Sequence, residues 1–168
     1  HGVLDAESHH LMRPVFQLPE QSLAGIELIV AQARPLVDGI VDAAYWSQYQ
    51  YTVDAYALMV DKVRLGKRIR AGFATCALDT TILLDWEIEL RRMIQRYTHL
   101  QLAFIDIWRS LAKLSEIDQT LVYFAHILER LDYLKAFLTT QRLALQTKHE
   151  PDYALATYQT AGRSEEHT

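Results

Sequence analysis

His126 and Glu129 are the first residues to weigh for chemistry, because three apart on a helix they share one face and can approach one ion. Two ligands do not make a metal site. The di-metal bundle signature, Glu-x-x-His aimed into a core, is not met within the helical stretches, and zinc-protease spacing and paired cysteines do not occur. His9 and His10 are adjacent, so on an extended segment they point opposite ways. The expectation is no metal, with His126 an ordinary bundle residue.

Asp85, Glu87 and Glu89 crowd around Trp86, and paired carboxylates are the equipment of general acid–base catalysis. At helical spacing they read better as a solvated acidic face balanced by Arg91, Arg92 and Arg96. Ser, His and Asp are scattered without a nucleophile elbow, and no Gly-rich phosphate loop exists. Nothing here asks for an enzyme or a cofactor.

Two other groups invite binding rather than catalysis. Tyr45, Tyr49 and Tyr56 lie beside Trp46, and aromatics interleaved with polar residues can stack on bases or ligands. At helical spacing the plainer expectation is bundle packing with hydroxyls at the rim. Lys62, Arg64, Lys67, Arg68 and Arg70 form a cation cluster. Either it meets the negative end of a helix that stops near Gly72, or it receives an anion or an acidic partner.

These residues must be positioned by helices. Ile26, Val30, Ala33, Val37, Ile40 and Ala44 recur at steps of three and four, and the face continues through Tyr51, Leu58 and Leu65. Pro35 removes a backbone donor, so a kink or a new helix is expected there, with Gly39 adding weakness. Ile82, Trp86, Leu90, Met93, Tyr97, Leu100, Phe104, Ile107, Leu111 and Leu114 mark a long helix with a narrow apolar stripe. Ser115 to Asp118 resembles a capping box, and Ile117, Leu121, Phe124, Leu128, Leu131, Leu134 and Leu138 follow on one face. Pro151 ends that helix, and residues 152–161 start one more. No stretch alternates with period two for long enough to build a sheet. The pattern predicts an all-α fold: long antiparallel hairpins forming a helical bundle of three to four helices.

At 168 residues, half of them apolar and 23% charged, the chain is of single-domain size with material for a core. The organisation expected is an irregular segment over 1–20, a helical domain over 21–162 and a tail over 163–168. No apolar run approaches the roughly 20 residues needed to span a bilayer. A net charge of -4 gives no general reason to expect nucleic acid. Cys76 is alone and forms no internal disulfide. The chain opens on His1 rather than Met, and Arg163-Ser164-Glu165-Glu166-His167-Thr168 resembles the translation of a common sequencing adapter. The expectation is a fragment with a non-native tail.

The region around Gly72 resembles the TolC-like outer-membrane efflux channel family. Arg70, Gly72 and Thr75 match a hairpin tip; Leu83, Leu90, Arg96, Tyr97, Gln101, Ala103 and Leu111 match the returning helix. A fainter echo of a second tip runs from Ala154 to Gly162. Cys76-Ala77-Leu78-Asp79-Thr80 departs from the family pattern after the Thr, and the two glycine tips are too close to hold barrel strands between them. The resemblance implies a periplasmic, outer-membrane-associated homo-oligomer, a trimer, whose tips dock onto the adaptor of an export pump. Arg68, Arg70, Gly72 and Thr75 would then be the partner contacts, with Gly72 at the bend and Thr75 capping the return. The competing class is a closed helical bundle serving protein contacts or sensing within a larger protein.

Overall fold

The computed structural model describes residues 18–75, 78–111 and 117–147. Among them the chain forms four helices and no strand: α1 (Glu20–Asp38), α2 (Ala43–Thr75), α3 (Thr80–Leu111) and α4 (Ile117–Gln146). The all-α expectation therefore holds. The irregular reading of the N-terminal residues, the Ser115 cap, Leu114, Pro151, the second tip and the tail fall outside the described residues.

Pro19 sets the start of α1. It holds extended backbone (φ -64°, ψ 153°), and its carbonyl accepts from Ser22 N at 2.9 Å and Leu23 N at 3.2 Å. Glu20 then sits in the first turn, where the helix dipole favours an acid. Of the kink or new helix expected at Pro35, the new helix does not form there. The helix runs through Pro35 and stops three residues later, before Gly39. A proline removes its own amide donor and crowds the turn before it, but buried Val37 still anchors the last turn in a cluster with Val30 and Val53. Ile40 and Ala44 consequently leave the stripe, because a four-residue turn separates α1 from α2.

Asp42 starts α2, its Oδ1 accepting from Ala44 N at 2.9 Å and Tyr45 N at 3.1 Å. This helix has two apolar faces. Val53, Val60 and Val63, with half-buried Ala57, cluster with Leu23, Ile26, Val30 and Val37 of α1. Leu58, Leu65, Ile69 and Phe73 turn the other way, into a core shared with α3 and α4. Asp79 starts α3 by accepting from Ile82 N at 2.8 Å. Trp86, Leu90, Met93, Tyr97 and Leu100 are buried as the stripe requires, Phe104 packs against them, and Leu111 is exposed. In α4 the buried set is Ile117, Phe124, Ile127, Leu131, Phe137 and Leu138; Leu121, Leu128 and Leu134 are half-buried flanks.

Consecutive helices pack together, and cross-links show each neighbour to be antiparallel. Arg68 meets Glu89 while Arg96 meets Asp61; Phe104 meets Phe124 while Glu87 meets Arg142. At 1.5 Å per residue, α2 and α3 (33 and 32 residues) each extend about 50 Å. Phe104 ties three helices, with ring centroids 5.8 Å from Tyr51 and 5.9 Å from Phe124. Phe73 and Phe137, 5.5 Å apart, link α2 to α4 near the α2–α3 turn. No described helix is long and apolar enough to cross a membrane.

Candidate functional site

The expected hairpin tip is built differently from its sequence reading. Gly72 does not make the bend. The helix passes through it and ends at Thr75, and the reversal lies between Thr75 and Thr80. A β-carbon on Gly72 would lie 2.4 Å from Trp86 Cη2 and 3.1 Å from Leu78 Cδ2. The glycine is there so that the indole of α3 can lie against α2. Thr75 does not cap α3 either. Its hydroxyl donates back to the Ala71 carbonyl at 2.9 Å, and the capping role falls to Asp79. Arg70 is exposed.

The cation cluster does not end a helix, since α2 has no basic residue in its last turn. Four of its five members, Lys62, Arg64, Lys67 and Arg68, reach across to other parts of the chain instead. Arg64 binds Glu20, at 2.6 Å and 2.9 Å, and also Glu27 of α1. These acceptors, Glu20 first, raise its pKa. Arg68 grips Glu89 with two bonds of 3.0 Å and 2.6 Å. Lys67 donates to the Leu18 carbonyl. The Lys62 ammonium lies 5.5 Å from the Tyr97 ring centroid. Burial, with Arg130 adding to it, lowers this amine to about 8, and burial likewise pushes the Tyr97 hydroxyl well up.

The acidic cluster is also redistributed. Asp85 is exposed, Glu89 serves Arg68, and Glu87 is buried, accepting from Arg142 Nε at 2.9 Å and Nη2 at 3.2 Å. That bidentate bond raises the Arg142 pKa. Balance by Arg91, Arg92 and Arg96 along α3 is not what forms; Arg96 reaches Asp61 of α2 at 2.5 Å. His126 and Glu129 are both exposed, and no group of three metal-binding side chains occurs among the described residues.

The aromatics of α2 depart furthest from expectation. Tyr45, Tyr49 and Tyr56 are more than half exposed and Trp46 is 41% exposed, while Tyr51 from the core stripe packs on Phe104. Leu36 and Val41, flanking the α1–α2 turn, are 75% and 98% exposed. This end of the molecule carries a broad apolar surface.

Beside it lies a cleft of about 810 Å³ between the first half of α2 and the second half of α3. Trp46, Tyr51 and Leu58 form one wall; Leu100, Ala103 and Ile107 form the other. Arg34 closes one side, donating to Asp54 Oδ1 at 3.0 Å, while Gln50 donates to Asp54 Oδ2 at 3.0 Å. His99 and Asp106 also line the cleft and make no hydrogen bond or ion pair among the described residues. No sequence signal marked this place, because its polar groups are contributed by three helices. Comparison with known proteins finds no matching family model, curated relative or solved structure.

Proposed function

We propose that the chain is a non-enzymatic helical-bundle interaction module that docks a partner protein on the surface formed by the α1–α2 turn and the start of α2. One observation carries the reading: Leu36, Val41, Tyr45, Tyr49 and Tyr56 are exposed together with Trp46, and residues 43–53 contain no Asp, Glu, Lys or Arg. Aromatic surface free of charge, as over residues 43–53, is typical of the centres of protein interfaces, with exposed Asp38 and Asp42 at its rim, and a lone bundle gains nothing by presenting it to water. A photoreactive residue in place of Tyr49 should capture one partner, and the same residue in place of Tyr133 on α4 should not. Leu36→Ser should abolish the capture while leaving the circular dichroism unchanged. Equal capture from both positions, or none from either, removes the reading.

A second reading has its own observation. Two antiparallel helices of about 50 Å joined by a short turn are what an efflux-channel hairpin would need. In it Arg68, Arg70, Gly72 and Thr75 would face an adaptor and the chain would form a trimer. Burial of the α3 stripe under α4 favours the module instead. Sedimentation of the full chain separates them: the channel reading expects a trimer, and a monomer throughout removes it.

A further inference from the structure

We infer that the cleft between α2 and α3 is a binding site for a small amphipathic organic cation, one with an apolar or aromatic body and a single positive charge. This goes beyond the docking surface, with which the cleft shares only Trp46 of the residues that define that surface.

The size and lining come first. At about 810 Å³ the cleft falls within the range of small-molecule sites, roughly 300–1,000 Å³, and most of its lining is apolar. One stripe of α3 faces it, stepping by threes and fours through Arg96, His99, Ala103, Asp106 and Ser110. The facing stripe of α2 brings Trp46 and Tyr51. A ligand body would lie between aromatic rings on one wall and aliphatic side chains on the other.

Charge then selects the ligand. The two arginines of the cleft are already committed, Arg34 to Asp54 and Arg96 to Asp61. Asp54 is held on both oxygens, by Arg34 and by Gln50. Asp106 is left over, a carboxylate that lines the cleft without a partner among the described residues. An anion entering here would have to displace an acid from an arginine. A cation finds Asp106 free and, in Trp46, a ring face that attracts positive charge. His99, two turns back along the same stripe, adds a ring nitrogen for a polar substituent.

The test is titration calorimetry on the full chain with two probes of one shape, 4-phenylbutyl-trimethylammonium and its uncharged tert-butyl analogue, and a phenylalkyl anion, 4-phenylbutyrate. The cation should bind saturably and about tenfold or more tighter than the uncharged analogue, with the anion weakest. Asp106→Asn should sharply reduce the difference between cation and analogue, leaving only the part due to Trp46, whereas Asp85→Asn, an exposed acid of α3, should preserve it in full. Trp46→Ala should weaken both. All variants are read beside a melting curve, and because Asp106 is exposed its substitution leaves the core intact. Equal binding of all three probes, no binding of any, or a preference undiminished by Asp106→Asn would overturn the assignment. Capture from position 49 is independent of Asp106, so failure here and failure of the docking surface are told apart.

Discussion

The Trp86 indole rests against the α-carbon of Gly72, leaving a β-carbon there only 2.4 Å from Trp86 Cη2. That contact fixes how closely α2 and α3 approach near their turn. Gly72→Ala should destabilise the fold by about 1–3 kcal/mol through overpacking, although alanine is the better helix former by about 1 kcal/mol. Gly66 is the internal control. It lies in the same helix, and a β-carbon added there would meet nothing within 4 Å, so Gly66→Ala should stabilise by up to about 1 kcal/mol. Urea denaturation of the two variants checks both signs, and a neutral Gly72→Ala would deny the close approach.

The apolar stripe of α3 is uniform in the sequence but not in its burial. Leu90 of the stripe is 1% exposed and its neighbour Leu83, just off the stripe, is wholly buried, whereas Leu111 of the stripe is 56% exposed. Leu83→Ala and Leu90→Ala should each cost about 2–5 kcal/mol, and Leu111→Ala within about 0.5 kcal/mol of nothing. Denaturant midpoints at constant m-value read this directly. Similar losses at all three positions would mean that the stripe is covered along its whole length.

That contrast shows what was legible in the sequence and what was not. Steps of three and four give away a helix and its inner face, so the fold class and the stripe from Trp86 to Leu100 could be read off. Spacing does not say where a partner helix stops, so Leu111 looked like Leu90. A helix with two buried faces loses its asymmetry, which is why Val53, Val60 and Val63 went unnoticed beside Leu58 and Leu65. Gly72 misled because a glycine that admits a neighbouring ring and a glycine that turns the chain look alike in one dimension. Arg142 is 55 positions from Glu87, so no local pattern could pair them, and the acids appeared to be solvated. The cleft was invisible for the same reason.

The Glu87–Arg142 pair should behave differently from the exposed pairs. Glu87 is 5% exposed and bound on both oxygens, so Arg142→Met alone strands a buried carboxylate and should lower the melting temperature clearly. Replacing both residues by Met should recover most of the loss. Asp61→Asn, which breaks an ion pair with both side chains 47% exposed, should change stability by about 1 kcal/mol or less. A double-mutant cycle on melting curves measures the coupling, and purely additive effects at Glu87 and Arg142 would show that the two do not act as a unit.

Lys62 should leave a signature in the pH dependence of stability. Burial, with the nearby Arg130, lowers its amine from 10.5 to about 8 in the folded chain. Between these values the unfolded chain holds the proton and the folded chain has released it, so the unfolded state binds more protons and stability rises with pH. The rise should begin near pH 8. It should reach on the order of 1–2 kcal/mol by pH 10. Tyr97 and Tyr51 act in the opposite sense higher up, because burial raises both hydroxyls above their ordinary 10.0. Above pH 10 the unfolded chain loses these phenolic protons first, and stability should fall again. The wild-type curve is therefore expected to crest near pH 10, while Lys62→Met should lose the rise between 8 and 10 and keep the later fall. Denaturation midpoints taken at half-unit intervals from pH 7 to 11 compare the two chains, and parallel curves would mean that the Lys62 ammonium is as well solvated in the fold as outside it.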